Sequence, residues 1–243
     1  MSDKSNQPLR IFIGYDHRQA IAMNVLQFSI FRRASKPVAI TPIVLPTLPM
    51  KRTGLTPFTY SRFLVPWLCD YQGWGLFLDI DFLVLGDIAE LFAQADDRYA
   101  AMVSKNPKKF EWASMILFNC GHPANKVLTP DYVDDPARCR TPHTMDWLAP
   151  ELVGGFPGEW NHLVGYDAPR TDAKAVHFTQ GMPIYEETTG SEYRDHWLAE
   201  QKAGNSTSPW QELMARSVHS APTADGRIVA KLHPKAITPP SAA

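Results

Sequence analysis

Cysteine is scarce in this 243-residue chain. There are three, Cys69, Cys120 and Cys139, widely spaced and forming no CxxC pair. That argues against a disulfide framework or a zinc knuckle and makes a reducing cytoplasm the default compartment. Long apolar runs are also missing. No stretch approaches the roughly 20 uninterrupted apolar residues of a membrane helix. The opening Met1-Ser2-Asp3-Lys4-Ser5-Asn6-Gln7 is polar, without the apolar core of a signal peptide. An excess of charge of one sign is nearly absent, since 24 Lys and Arg against 25 Asp and Glu leave a net −1. A dedicated nucleic-acid binder is therefore not expected. With no GxGxxG and no Walker A run, dehydrogenase and kinase readings have no anchor. With no GxSxG elbow, Ser/His/Asp or Cys/His catalysis has no support. No internal repeat or low-complexity block is found.

What is present is an ordinary globular composition, 44% apolar and 20% charged, with length for one domain and a small appendage. Arg10–Gly14 and Val38–Leu45 read as strands, and 18–33 as a helix with an apolar stripe. Pro57–Leu68 reads as a helix that Pro66 ends or kinks. Trp74–Leu85 is the most apolar stretch and reads as a central strand running into a turn, with Asp87 capping a short helix after it. Ala100–Ser104, Met115–Asn119 and Val176–Phe178 are further strand candidates, and Glu192–Lys202 and Trp210–Val218 look helical. The tail from Pro234 looks loose. Strands alternating with helices predict a single α/β domain over 10–203 with a mostly parallel central sheet flanked by helices, then a C-terminal helix and tail over 204–243. The stretch 105–170, rich in Pro, Gly, Trp and Asn, reads as an elaboration beside the sheet. Residues 1–60 carry eight Lys or Arg but only Asp3 and Asp16 as acids. Such a segment suits an anionic ligand or peripheral contact with lipid headgroups, or else a solvated surface balanced by acids elsewhere.

Asp79 and Asp81 are the sharpest signal. They follow an apolar run and are separated by one apolar residue, so in a continuing strand they share a face. At the C-terminal end of a parallel sheet both point into the ligand crevice. Two close carboxylates repel and are costly to desolvate, and a divalent cation relieves both problems. Oxygen ligands suit Mg²⁺ or Mn²⁺, commonly with substrate phosphates completing the shell. The bland alternative is a solvated pair at a strand end. A rival chemistry, the DxD phosphatases of the haloacid dehalogenase type, normally places the motif near the N-terminus with Gly-Thr after it. Here Phe82-Leu83 follows.

The order of motifs resembles the GT-A-fold glycosyltransferases, the glycosyltransferase family 8-like nucleotide-sugar group. The resemblance rests on Ile11-Phe-Ile-Gly14-Tyr15-Asp16, Thr59-Tyr60-Ser61-Arg62-Phe63-Leu64, Leu76-Phe-Leu-Asp79-Ile80-Asp81, Ser114–Asn119 and His177-Phe178-Thr179. It runs from about residue 10 to 200 and departs in two places. The lysine that usually follows the late motif is replaced by Gln180-Gly181-Met182, leaving Lys105, Lys108 or Lys109 as substitutes. The usual Asn-x-Gly is replaced by Trp112-Ala113-Ser114.

The resemblance implies a metal-dependent transfer of a sugar from a nucleotide diphosphate donor, expected to be UDP-linked, to a hydroxyl acceptor, small, glycan or lipid-linked, with retention. It implies Mn²⁺ or Mg²⁺ on Asp79, Asp81 and His177. Gly14, Tyr15, Asp16, Arg62, Ile80 and Gly181 would line the nucleotide. Arg62 and Asp146, the latter from a faint echo of a donor-sugar motif, would act in catalysis. Trp160 and Asn161 would meet the acceptor, since sugars take aromatic faces and directional amide bonds. For Asp16 the alternative role is a helix cap. A protein that keeps the donor fold without turnover is the second reading.

Overall fold

The computed structural model describes residues 7–208, 220–222 and 228–230. The chain divides into two compact units, Met1–Gly204 and Asn205–Ala243. In the first, β1 (Leu9–Gly14) leads through Asp16 into α1 (Ala20–Phe31), and β2 (Val38–Ile43) returns beside β1. A turn of 3-10 helix at Ser61–Leu64 runs into α2 (Val65–Leu68). Then come β3 (Trp74–Leu78), β4 (Phe82–Val84), α3 (Ile88–Phe92), β5 (Ala101–Ser104) and β6 (Met115–Asn119). After α4 (Pro130–Asp134) follow β7 (Val153–Phe156), β8 (His162–Leu163), β9 (Ala175–His177) and α5 (Arg194–Gly204). In the second unit, β10 (Ser220–Pro222) pairs antiparallel with β11 (Ile228–Ala230). The helix read at Trp210–Val218 and the tail from Pro234 lie outside the described residues.

The main sheet has the order β2-β1-β3-β6-β5-β7. Every pairing is parallel except those of β6, which runs against both neighbours. The sheet is mixed and largely parallel, as an α/β chain predicts. β1, β3, β5 and β7 therefore end at one edge, and their loops build that face. Ile11, Ile13, Leu76, Leu78, Leu117 and Val103 are fully buried or nearly so, as continuous apolar runs in a two-sided sheet require. Pro42 is tolerated because β2 is an edge strand.

Two expectations are corrected. The apolar run 74–85 is two strands in two sheets. β3 belongs to the main sheet, whereas β4 pairs with β9 in a three-stranded sheet of order β4-β9-β8. The break falls at Asp79-Ile80-Asp81. The Asp79 N–H donates to Ser114 O beside the main sheet (2.9 Å), Asp81 O accepts from Phe178 N in the second sheet (3.0 Å), and fully buried Ile80 pins the turn between them. The two carboxylates are thus not neighbours on a continuing strand. The helix read over 57–68 is likewise two short pieces, and Pro66 sits in the first turn of α2 instead of ending it, where its missing N–H costs nothing.

The basic N-terminal quarter is largely consumed internally. Arg32 and Arg33 clasp buried Glu200 of α5, at 3.1 and 2.6 Å. Arg18 forks onto Asp16. Arg52 donates to Val133 O and Cys139 O and lies over the Tyr60 ring.

Candidate metal and nucleotide site

The turn between β3 and β4 presents its carboxylates toward β9. One ligand atom from each of Asp79, Asp81 and His177 lies within 4.8 Å of the others. His177 is brought there by register, since Phe82 pairs with His177 across β4 and β9 and their rings stack at 4.5 Å. His177 Nε2 stands 3.3 Å from Asp81 Oδ1, and its Nδ1 stands 3.8 Å from Glu111 Oε2. Glu111 is a third carboxylate around this histidine. It lies in a 3-10 turn, Lys109–Ser114, that no motif or periodicity marked.

Arg62 is held in the interior by Ala113 O (2.8 Å) and Thr59 O (3.1 Å), and its guanidinium lies 2.9 Å from Asp79 Oδ1 while donating to Oδ2 at 3.2 Å. Burial, only partly offset by Arg62 and reinforced by Asp81, pushes the Asp79 carboxyl up to about 7. Burial disfavours a charged His177, but Asp81, Asp79 and Glu111 outweigh it and hold the imidazole above its ordinary value. A buried carboxyl that resists ionising, and a histidine whose charged form the surrounding acids favour, describe a site short of positive charge. Two carboxylates and one imidazole are a donor set for a divalent transition-metal ion, and the nitrogen makes Mg²⁺ the poorer fit.

The other sequence candidates fall in several places. Gly14, Tyr15 and Asp16 lie at the C-terminal end of β1, beside Asp79, because Ile13 pairs with Leu78. A Cβ on Gly14 would lie 2.4 Å from the Phe58 ring. Asp16 caps the turn before α1, and Arg18 holds both its oxygens and its carboxyl below the usual range. Ile80 is fully buried, so only its backbone can face a ligand. Gly181, with φ +109°, lies in the loop after β9. Asp146 is exposed and accepts from Thr141 N (2.9 Å) and Oγ1 (2.7 Å), outside the Asp79 cluster. Trp160 is fully buried beneath Lys174 and offers no ring face to a sugar. Asn161 is buried beside it. Its amide donates to Ser114 Oγ at 3.0 Å and Glu111 O at 3.4 Å. Lys108 and Lys109 rest over Tyr166 and Trp112.

His143 has no sequence signal. It stacks on Phe110 at 4.8 Å and meets Phe63 and Tyr60 edge-on. Burial, with Arg62 and Arg52 nearby, lowers its pKa to about 3.

No protein-family model matches the chain. Protein CDI of Arabidopsis thaliana is 40% identical over 82% of this chain and 88% of that protein. Among solved structures, the glycosyltransferase GlyE of Streptococcus pneumoniae TIGR4 superposes with a TM-score of 0.62 at 13% identity, covering 93% of this chain and 66% of that one. The galactosyltransferase LgtC, solved with donor and acceptor sugar analogues, gives 0.55 at 13%, covering 84% and 99%. The bifunctional WbbM gives 0.61 at 15% over 89% of this chain, which spans 52% of WbbM. At such identities the likeness is one of fold, and that fold is the GT-A-like fold of family 8-like glycosyltransferases. Among the described residues no helix is long and apolar enough to cross a membrane.

Proposed function

Because the chain belongs to the family of Protein CDI of Arabidopsis thaliana and has a GT-A-like fold, we propose that it is a metal-dependent glycosyltransferase using a nucleotide diphosphate sugar. The observation that carries this reading is the convergence of Asp79, Asp81 and His177 within 4.8 Å at the C-terminal edge of the parallel strands, where α/β folds bind nucleotides. These three residues would hold Mn²⁺, or less well Mg²⁺. When bound, such an ion supplies electrostatic stabilisation of the charge that builds on the departing diphosphate.

The chain's own groups divide the remaining work. Arg62, anchored by its bonds to Ala113 O and Thr59 O, orients Asp79 and favours its ionised form against the burial that opposes it. Tyr15 and Asp16, at the end of β1, hold the base, with Asp16 pre-ionised by Arg18. We take the base to be uracil, as the sequence pattern suggests, and the compartment to be the cytoplasm. The three cysteines are free thiols. A second reading, donor binding without turnover, is favoured by Gln180-Gly181-Met182, which departs from the lysine of the family pattern this chain resembles.

Calorimetric titration with UDP, with and without Mn²⁺, tests the site. Wild type should bind UDP only with metal, and Asp81→Asn, which leaves the buried Arg62–Asp79 pair in place, should lose that binding while staying folded. UDP and GDP both failing to bind would sink the proposal. UDP binding without release of UDP from any UDP-sugar would favour the second reading.

A further inference from the structure

One short turn holds much of the metal cluster in place. The 3-10 turn Lys109–Ser114 runs directly into β6. Ser114 O accepts from the Asp79 N–H at 2.9 Å. Ala113 O accepts from Arg62 at 2.8 Å, and Arg62 in turn meets Asp79. The turn is itself fastened, because the Asn161 amide donates to Ser114 Oγ at 3.0 Å and to Glu111 O at 3.4 Å. Backbone groups at the end of the turn thus fix Asp79 and Arg62. Its one acidic side chain, Glu111, goes to the histidine of the cluster.

The two nitrogens of His177 have different neighbours. Nε2 stands 3.3 Å from Asp81 Oδ1, and Nδ1 stands 3.8 Å from Glu111 Oε2. The His177 side chain is 4% exposed and its ring stacks on Phe82. Its Nδ1 is buried with no hydrogen-bond partner among the described residues. A gap of 3.8 Å is within an ion pair's reach but beyond a hydrogen bond's. Buried polar atoms are normally paired, and the Glu111 carboxylate is the acceptor beside this one. Glu111 is partly exposed, so its side chain has room to close the gap. Neutral imidazole carries its proton on one nitrogen and offers the other as a lone pair. A proton on Nδ1, toward Glu111, leaves the lone pair on Nε2, the nitrogen on the side of Asp81.

We propose that Glu111 is a positioning residue for the metal site: it takes the Nδ1–H of His177 and so presents Nε2 to a divalent cation shared with Asp79 and Asp81. A carboxylate in this place fixes the tautomer and ring orientation of a ligating histidine and raises its basicity. A fourth-ligand role fits less well, since no Glu111 oxygen joins the donor atoms enclosed within 4.8 Å. The inference rests on the metal site of the proposed function and is independent of the sugar, base and acceptor used.

The test is Mn²⁺ binding to the full chain, with and without UDP, followed by loss of the free Mn²⁺ electron paramagnetic resonance signal. Glu111→Ala should weaken binding by about 10–100-fold. Glu111→Gln, whose amide oxygen still accepts the Nδ1 proton, should lose less. Both should keep the metal-free melting temperature of wild type. At saturating Mn²⁺, electron spin-echo modulation should detect a histidine nitrogen on the ion in wild type, and that coupling should weaken or vanish in Glu111→Ala. Unchanged Mn²⁺ affinity in Glu111→Ala overturns the inference and leaves the metal site standing. Weaker binding with an unaltered nitrogen coupling overturns it too, because Glu111 would then act as a ligand or a general charge and not through His177. A lowered metal-free melting temperature reduces its role to packing of the turn. Wild type that takes up no Mn²⁺ under either condition sinks the metal site and this inference together.

Discussion

Asp79 and Arg62 form the pair on which the site's electrostatics turn. The guanidinium is 7% and the carboxylate 13% exposed, so neither is well hydrated and each depends on the other. Removing one partner of a buried pair typically costs about 3–5 kcal/mol. Asp79 has an escape, because its carboxyl already titrates near 7. In Arg62→Ala it can take up a proton instead of remaining as a bare charge. Urea unfolding of Arg62→Ala should therefore show a loss of about 3 kcal/mol above that pH and less below it. Arg62→Leu/Asp79→Leu should recover part of the loss, and a pH-independent loss would contradict the account. At this scale the sequence was informative where chemistry is written in a short pattern. Asp79 and Asp81 after an apolar run are such a pattern; His177 was reached only through the family resemblance, and the fold brings the three together. Glu111, His143 and Asn106 were not legible. Glu111 and His143 lie in short 3-10 turns and Asn106 in a loop, and each gains its contacts only after folding: Glu111 beside His177, His143 against Phe110, Asn106 O under Trp112 Nε1.

Among the elements, long apolar runs announced themselves, and short or broken ones did not. β1, β3, β5 and β6 were readable because buried strands need continuous apolar residues. β7 was not, because Val153-Gly154-Gly155-Phe156 reads as a turn. The glycine is there for fit, since a Cβ on Gly154 would lie 2.5 Å from the Tyr99 ring. The split of 74–85 was hidden because both halves are apolar and only pairing partners distinguish them. Gly14 makes the same kind of close approach at the end of β1. Alanine there must displace Phe58, which is itself buried. Gly14→Ala should cost about 1–3 kcal/mol, the usual range for overpacking, readable as a lower melting temperature. UDP affinity should fall with it, because the displaced loop borders Tyr15 and Asp16. An unchanged melting temperature would show that Phe58 can move aside freely.

For the molecule as a whole, the charge asymmetry of the sequence has a structural use. Glu200, 4% exposed, reaches from α5 to Arg32 and Arg33 at the end of α1, closing the first unit with a residue far along the chain. Charged hydrogen bonds of this kind are worth about 1.5–3 kcal/mol. Glu200→Gln should lower unfolding stability by about 2 kcal/mol, read as a shift in urea midpoint, without altering UDP binding. A loss of UDP binding at unchanged stability would mean that α5 reaches the site in a way this geometry does not provide. The GT-A-like layering was legible because alternation of elements survives local misreading, whereas the second sheet, made of strands of two and three residues, was not.

That second sheet gives the Asp79-Ile80-Asp81 turn a mechanical meaning. Asp79 is tethered to one sheet through Ser114, and Asp81 and His177 are tethered to the other through Phe178 and Phe82. The three donor atoms therefore straddle a seam, and their spread gauges how the two sheets are set against each other. Packing changes along β4 or β9, at residues that touch no ligand, would retune the grip on a cation much as shifting one jaw retunes a vice.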